Sequence, residues 1–223
     1  VTDLGNVAEG GFTNGTLPTI SGTAEPGSTI AIYNGNTLLG TTTASNTIPG
    51  TWSFTPSVAL APGSISITAT ATDAAGNTGA ASTPRTFTID TTAPNAPTLV
   101  SVYDDQSSVP GNLTSGALTR DTQPTFSGTT EANATVNLYD NGTLVGSMTT
   151  DSSGKWTITP TIPLGQGSHT FTFSAVDQAG NVSVKTSGFN VVVDSVAPLK
   201  PVILQVLDDK DPAQGPVLNG QFT

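Results

Sequence analysis

Five pairs of acidic residues recur at equivalent positions of this chain, each where the sequence predicts a turn or the end of a strand. The offset is 104 residues for four pairs and 106 for the last: Asp73 with Asp177, Asp90 with Asp194, Asp104 with Asp208, Asp105 with Asp209, and Glu25 with Glu131. Carboxylates beside Asn and backbone carbonyls are the oxygen ligands that Ca²⁺ takes, six to eight at a time. The spacing therefore predicts Ca²⁺ sites that repeat along the chain.

The acids belong to a longer repeat. Asp-Thr-Thr-Ala-Pro at 90–94 returns as Asp-Ser-Val-Ala-Pro at 194–198, and Asp-Ala-Ala-Gly-Asn at 73–77 returns as Asp-Gln-Ala-Gly-Asn at 177–181. A fixed period of this length indicates an array of units, and each unit is long enough to bury its own core. We predict a domain at 1–93 whose N-terminal strand is mostly missing, a complete domain at 94–197, and a partial third repeat at 198–223 with a first strand and the following loop.

Turn signals every ten residues or so, and no apolar period of 3.6 residues, predict an all-β fold. The complete copy is expected to contain seven or so antiparallel strands, with Asn141-Gly142 forming a hairpin turn. The predicted strands are Pro97–Tyr103, Pro124–Gly128, Thr135–Tyr139, Thr143–Met148, Lys155–Thr159, Ser168–Val176 and Gly188–Val193. Such a set predicts tandem immunoglobulin-like β-sandwich domains arranged end to end.

Alternating apolar residues predict the core between the two sheets of the complete copy. These residues are Phe126, Val136, Leu138, Trp156, Ile158, Phe171, Phe173, Ala175, Val191 and Val193. Trp52 occupies the position of Trp156 in the first copy and is also expected to point inward.

The sandwich must place the acids at its two ends. The loops after the second and sixth strands lie where the chain enters, which puts Glu131 and Asp177 at the entrance of the second domain. Asp194 follows the last strand at the exit, where Asp104 and Asp105 end the first strand. Stacking of domains brings the exit of one to the entrance of the next. At the first junction, Asp3 and Asp90 are therefore expected to approach Glu131 and Asp177.

Other interpretations of the acids are open. Asp73 and Asp177 begin Asp-x-x-Gly-Asn turns, in which the carboxylate can accept bonds from backbone amides without any metal. Glu25 and Glu131 could be solvated loop charges. Zinc is disfavoured as the metal because the chain has one His and no Cys. A formal charge of −10 argues against a nucleic-acid partner, since phosphates would be repelled.

The order of these motifs resembles the bacterial Ig-like repeats of giant adhesins secreted by type I systems, the RTX-type surface adhesins. The resemblance rests on Asp-Thr-Thr-Ala-Pro, Tyr-Asp-Asp, Pro-Thr-Phe-Ser-Gly-Thr-Thr-Glu, Leu-Tyr-Asp-Asn-Gly, Trp-Thr-Ile-Thr-Pro and Asp-Gln-Ala-Gly-Asn, and it covers nearly the whole chain. It implies a stalk on the bacterial cell surface, outside the cell, whose modules bind Ca²⁺ near their junctions. The stalk would hold a distal receptor-binding region away from the cell.

Two functions from different classes follow. The first is a stalk segment stiffened by Ca²⁺, and the second is a module that binds a glycan or a protein. An enzyme is not expected, because the lone His169 has no matched nucleophile and acid. No segment is apolar enough to insert into a membrane. We expect a monomer in which the first-strand sequence Leu199–Asp209 could also complement the first domain of another molecule, end to end.

Overall fold

The computed structural model describes residues 6–106, 110–204 and 206, and this part of the chain contains sixteen β-strands and no helix. The all-β prediction is therefore confirmed. It follows that these residues include no helix long and apolar enough to cross a membrane. The strands form two successive sets, which we call repeat one (β1 to β7) and repeat two (β8 to β16).

Repeat one contains two sheets. Its strands are β1 (Gly11–Thr13), β2 (Ile20–Ala24), β3 (Thr29–Asn34), β4 (Thr37–Thr43), β5 (Gly50–Phe54), β6 (Gly63–Thr72) and β7 (Arg85–Ile89). The larger sheet has the order β1-β7-β6-β3-β4, and the smaller sheet is the antiparallel pair β2-β5.

Repeat two has the same larger sheet and a wider smaller one. Its strands are β8 (Thr98–Asp104), β9 (Gly111–Asn112), β10 (Ala117–Thr119), β11 (Thr125–Thr129), β12 (Thr135–Asp140), β13 (Thr143–Thr149), β14 (Lys155–Ile158), β15 (Gly167–Val176) and β16 (Phe189–Val193). The larger sheet has the order β10-β16-β15-β12-β13, and the smaller has the order β14-β11-β8-β9.

All seven strands predicted for the complete copy are present, with ends within one residue of the expected ones. Two further strands, β9 and β10, were not predicted. The seven predicted strands pair antiparallel with one another, as expected, whereas the additional strand β10 pairs in parallel with β16, as β1 does with β7. In repeat two the chain therefore crosses from the smaller sheet (β8 and β9) to the edge of the larger sheet (β10) before it returns to the smaller sheet as β11.

The predicted core of repeat two is confirmed, since all ten residues are buried. Phe126 contacts the rings of Phe171 and Phe173, and Trp156 lies 5.1 Å from Phe173 between ring centroids. Repeat one has a separate core around Ile30, Ile32 and Ile89. Each repeat therefore buries its own apolar side chains, as the period of the sequence indicated.

The described part of repeat one contains no strand equivalent to β8. In repeat two, β8 pairs along its length with β11, so β11 has neighbours on both sides. The equivalent strand β2 pairs only with β5. One edge of the smaller sheet of repeat one is thus left without a partner strand among the described residues.

Candidate functional site

The strand registers show which acids share an end of repeat two. Thr129 pairs with Thr98 and Thr135 with Val176, so the loops that follow β11 and β15 lie at the end where β8 begins. Thr119 pairs with Val193, which places the end of β10 beside the end of β16. Glu131 and Asp177 therefore belong to the entrance end, and Asp104 and Asp194 belong to the exit end.

At the entrance end, Asp177 is joined to repeat one through a side-chain amide. The Asp177 Oδ1 accepts the Asn181 backbone N–H at 2.8 Å, and Oδ2 accepts the Asn181 Nδ2 at 2.8 Å. The same Nδ2 donates to the Asp90 carbonyl oxygen at 2.8 Å, and the Asn14 backbone N–H donates to the Ala179 carbonyl at 3.1 Å. The structure thus brings Asp90 and Asp177 to one junction, where Asn181 bridges them.

Asp73 begins the matching turn of repeat one. Its Oδ1 accepts the backbone N–H groups of Ala75 and Asn77, and its Oδ2 accepts the Asn77 Nδ2 at 2.8 Å. These bonds, first of all the one from the Asn77 side chain, hold the pKa of Asp73 below its usual value. Both oxygens of Asp73 and of Asp177 therefore serve a turn, as the turn interpretation of these residues requires.

Of the remaining candidate acids, Asp90 lies at this junction, Glu131 belongs to the entrance loops of repeat two, and Glu25 belongs to the equivalent loop of repeat one. The Asp90 carboxylate accepts the backbone N–H of Thr92 at 2.9 Å. Glu131 and Glu25 have exposed side chains in the loops after β11 and β2, and their backbone carbonyls receive the turn hydrogen bonds of those loops. Asp90 is thus anchored to the linker, whereas the two glutamates extend into solvent.

The exit end of repeat two contains two buried carboxylates. Asp104, which is 4% exposed, accepts the Thr119 hydroxyl at 2.6 Å on Oδ2 and the Gln106 backbone N–H on Oδ1. The Thr119 hydroxyl oxygen in turn accepts the Asp121 backbone N–H at 2.9 Å. Asp121 is only 2% exposed, and its Oδ1 accepts the Gln123 N–H. Thr119 therefore ties the two acids together.

The second carboxylate oxygen of Asp121 is buried without a hydrogen-bond partner. Burial raises the pKa of Asp121 most, and the negative charges of Asp104 and Asp105 raise it further, while the backbone N–H groups of Gln123 and Asp105 offset part of this rise. An orphaned anionic oxygen inside a protein is costly unless something positive faces it. This end of repeat two is therefore suited to a cation.

Asp105 and Asp194 flank the same end from its surface. The Asp105 Oδ1 accepts the Gln106 side-chain amide at 2.7 Å. The Asp194 Oδ1 accepts the Val196 N–H at 3.1 Å, and its backbone N–H donates to the Thr119 carbonyl at 2.8 Å. The exit end thus combines buried and exposed acids around Thr119.

A second buried pair lies at this end. Asp140 Oδ2 and His169 Nδ1 are 2.7 Å apart, and His169 Nε2 lies 3.0 Å from the Gly165 carbonyl oxygen. Asp140 Oδ1 is buried without a partner. His169 is therefore a structural residue that holds Asp140 in the hairpin after β12.

Within residues 6–106, 110–204 and 206, no three His, Cys, Asp or Glu residues form a group that could hold a metal ion. The predicted ligands Asp3, Asp208 and Asp209 lie outside these residues. No complete set of such ligands is therefore present in this part of the chain.

Asp121 was not among the sequence-predicted site residues. The search for recurring acids missed it because repeat one has Gly15 at the equivalent position. The available signal was the Thr-x-Asp spacing of Thr119 and Asp121, in which a hydroxyl and a carboxylate follow the short strand β10.

Several solved structures are similar to parts of this chain. Fibronectin(III)-like modules of CbhA from Clostridium thermocellum are 20% identical, with 86% of this chain and 92% of that chain covered and a TM-score of 0.48. A Ca²⁺-stabilised adhesin that helps an Antarctic bacterium bind ice is 24% identical, with 82% and 46% covered and a TM-score of 0.38. A tetra-tandem repeat from the extending region of a large adhesion protein is 23% identical, with 86% and 48% covered and a TM-score of 0.33.

This chain therefore spans about half the length of each of the two adhesin structures. No match was found among curated proteins. The family model for the bacterial Ig-like domain matches twice, over residues 2–91 and 96–195. These two matches cover most of the chain, and the protein belongs to the bacterial Ig-like domain family.

Proposed function

We propose that this chain is a stalk segment of a large bacterial surface adhesin, in which Ca²⁺ bound between successive Ig-like repeats stiffens the junctions. The observation that carries the proposal is the buried, unpartnered Oδ2 of Asp121 beside Asp104 at the exit end of repeat two. The stalk would stand outside the cell and present a distal receptor-binding region. Its work is mechanical rather than catalytic.

The donor chemistry of the junctions suits calcium. Carboxylates of Asp104, Asp105 and Asp121 would form one part of a ligand set, and the entrance loops of the following repeat would supply the rest. Hard oxygen ligands without His or Cys favour Ca²⁺ over zinc. A site divided between two repeats accounts for the lack of a complete acidic group within the described residues of either one.

The junction within this chain supports the same arrangement. The Asn181 side-chain amide donates to both the Asp90 carbonyl and the Asp177 carboxylate. The residue after β7 is therefore bonded to the loop after β15. We include Asp3 and Glu131 in the ligand set proposed for this junction, and Asp194 in that of the next. Asp208 and Asp209, equivalent to Asp104 and Asp105, would belong to the exit end of the third repeat. Asp73 occupies the corresponding position at the entrance of repeat one. The domain limits that accompany this proposal are 1–93, 94–197 and 198–223.

A calcium titration by calorimetry, paired with small-angle scattering, tests the proposal. Saturable binding with a dissociation constant of roughly 10⁻⁴ to 10⁻³ M is expected, as for other extracellular modules. Excess chelator should then make the scattering profile more compact or more flexible. The double variants D3A/D90A and D104N/D121N should each remove part of the bound calcium.

The control is Glu9→Gln, which removes one carboxylate charge away from the proposed ligands. Glu9 bonds Thr86 and lies 3.4 Å from Arg85, in repeat one and away from both candidate ends. It should leave calcium binding unchanged. Absence of saturable binding, with a profile that chelator does not alter, would refute the stalk mechanism and favour a glycan-binding or protein-binding module.

A further inference from the structure

Thr119 lies where the two sheets of repeat two meet at the exit end. It is the last residue of β10 in the larger sheet, and it is 4% exposed. Its hydroxyl donates at 2.6 Å to Oδ2 of Asp104, the last residue of β8 in the smaller sheet. One buried hydroxyl therefore links the two sheets of the sandwich at this end.

The same hydroxyl group also fixes a second acid. Its oxygen accepts the backbone N–H of Asp121 at 2.9 Å. Asp121 is 2% exposed, and its Oδ2 has no hydrogen-bond partner among the described residues. A hydroxyl can donate one hydrogen bond while its oxygen accepts another, and here the donor meets Asp104 and the acceptor meets Asp121. Both buried acids are thus bonded to one threonine side chain.

The backbone of Thr119 connects this pair of acids to the end of the last strand. Thr119 pairs in parallel with Val193 of β16, and its carbonyl oxygen accepts the Asp194 backbone N–H at 2.8 Å. The strand β10 has only three residues and lies at the edge of its sheet. Segments with few buried contacts open locally at low cost in free energy. The bonds of Thr119 are therefore important for keeping β10 on β16.

These contacts are those of a residue that orients metal ligands. Groups that hydrogen-bond to metal ligands fix their orientation, and loss of such a group typically lowers metal affinity about 10-fold to 100-fold. We infer that Thr119 positions Asp104 and Asp121 for the Ca²⁺ proposed at the exit end, and that bound Ca²⁺ in turn holds β10 on β16. The inference rests on the proposed calcium site, and Thr119 acts through the two acids rather than as a ligand. Because Ca²⁺ binds the acids best when Thr119 holds both, binding stabilises the paired position of β10.

Repeat one has the same threonine without the pair of acids. Thr13 ends β1, is 4% exposed and pairs in parallel with Ile89, and its carbonyl oxygen accepts the Asp90 N–H at 2.9 Å. Its hydroxyl oxygen accepts the Gly15 N–H at 3.0 Å, and glycine offers no carboxylate. Among the described residues, no acid side chain bonds the Thr13 hydroxyl. Thr13 is thus a matched control for the structural part of the role of Thr119.

Calorimetric titration of the whole chain with Ca²⁺ tests the positioning role. The D3A/D90A background removes proposed ligands of the first junction, so the calcium binding that remains reports on the exit end. Thr119→Val removes the hydroxyl and should weaken this binding about 10-fold to 100-fold. Thr119→Ser retains a hydroxyl and should restore most of the affinity, and Thr13→Val should leave it unchanged. Equal affinity in Thr119→Val and its background, or equal weakening by Val and Ser, would overturn the inference.

Amide hydrogen exchange in the same background tests the coupling to the strands. Ca²⁺ should slow the exchange of the amides of β10 and of Asp194, whereas the amide of residue 90, which donates to Thr13, should be unaffected. At the Ca²⁺ concentration that saturates the background, Thr119→Val should lose this protection and Thr119→Ser should keep it. Bound Ca²⁺ with no added protection of β10 would contradict the coupling, and this result does not depend on whether Thr119→Val folds.

The variant D104N/D121N separates this inference from the proposed calcium site. Calcium binding that is unaltered by D104N/D121N would refute the site at the exit end and the role of Thr119 with it. Binding that is lost in D104N/D121N but unaltered in Thr119→Val would leave the site in place and overturn only the role of Thr119.

Discussion

Repeat one and repeat two share a strand plan but differ in how their smaller sheets are completed. In repeat two, β14, β11, β8 and β9 cover the core, and Trp156 is 3% exposed. In repeat one only β2 and β5 are present among the described residues, and the equivalent Trp52 is partly buried. In repeat two, β8 completes the smaller sheet and Trp156 is buried. Among the described residues of repeat one no equivalent strand is present, and Trp52 is only partly buried.

The cores differ in size as well as in closure. Phe126 and Phe173 of repeat two correspond to Ile20 and Ala69 of repeat one, both of which line a groove of about 1120 Å³ in that repeat. Repeat one thus has smaller side chains at these two positions of its core. Its stability should depend less on any one apolar residue than the stability of repeat two does.

The largest expected effect is that of Phe173→Ala, which creates in repeat two the side chain found in repeat one. We expect a loss of about 3 to 5 kcal/mol in the free energy of unfolding of repeat two, because Phe173 is fully buried among Phe126 and Trp156. Urea unfolding in a Trp52→Phe background isolates the signal of Trp156. The converse change, Ala69→Phe, should not destabilise repeat one, since the groove has room for the ring. Equal losses in both repeats would remove the distinction between a closed and an open core.

A smaller effect is expected for the pair of His169 and Asp140. His169→Ala should destabilise repeat two by about 2 to 3 kcal/mol, because it leaves the half-buried Asp140 carboxylate with no partner on either oxygen. Repeat one has Ile65 and Asn34 at these positions, with the Asn34 Oδ1 accepting the Ser66 N–H. The double variant H169I/D140N should therefore recover most of the loss in the same unfolding measurement. A double variant as unstable as His169→Ala would show that the loss of stability does not come from the unpartnered Asp140 carboxylate.

Asp121→Asn should stabilise metal-free repeat two by about 1 kcal/mol at neutral pH, since it removes an unpartnered buried charge. Burial, with Asp104 and Asp105, raises the pKa of Asp121 above its ordinary 3.8. The folded state therefore binds the proton more tightly than the unfolded state. Stability from this group is greatest below pH 3.8 and is lost as pH rises through the folded pKa. Thermal unfolding in chelator from pH 3 to 7 should show this loss in wild type and not in Asp121→Asn.

The control for this prediction is calcium itself. Saturating Ca²⁺ should reverse the order and make wild type the more stable protein, because the cation would face the orphaned oxygen. Repeat one, with Gly15 at the position of Asp121, should show no such reversal. A wild type that remains less stable in calcium would count against a cation at this end.

The smallest expected effect distinguishes the turn that begins at Asp73 from the turn that begins at Asp177. Both turns have the pattern Asp-x-x-Gly-Asn. Asp73→Ala and Asp177→Ala each remove a carboxylate that accepts bonds from an Asn, but only Asn181 also bonds the neighbouring repeat. Asp177→Ala should therefore increase amide hydrogen exchange on both sides of the junction, whereas Asp73→Ala should affect only its own loop. Because bonds from Asn77 lower the pKa of Asp73, its contribution to stability is present above pH 3.8 and is lost as pH falls through the lower folded value. Identical exchange patterns would mean that Asn181 does not couple the repeats.

Much of the fold could be predicted from the sequence because long alternating strands and the 104-residue period are strong signals. The burial of Phe126, Phe171 and Val191 follows from that alternation. The strands β9 and β10 could not be predicted, because segments of two or three residues are too short to show an alternating apolar pattern. Their pairing with β8 and β16 is decided by tertiary contacts.

The candidate acidic residues could be predicted only where an acid occurs at the equivalent position of another repeat. Asp90 and Asp177 were placed at one junction because both belong to repeated motifs and the sandwich has two ends. The bridging by Asn181, and the burial of Asp121 and Asp140, depend on loop geometry that spacing alone does not carry. Which oxygens are left without a partner is a property of packing, and the sequence pattern has no signal for it.

The parallel pairing of β1 with β7 and of β10 with β16 decides how tension would pass through each repeat. Parallel neighbours pulled from opposite ends slide along each other, so the hydrogen bonds between them, which link Thr119 and Val193 among others, bear the load together instead of opening one at a time. The short strands β1 and β10 thus hold the last strands of their repeats, β7 and β16, through these hydrogen bonds. In the proposed stalk, a force along the chain would load repeats one and two in this shearing direction.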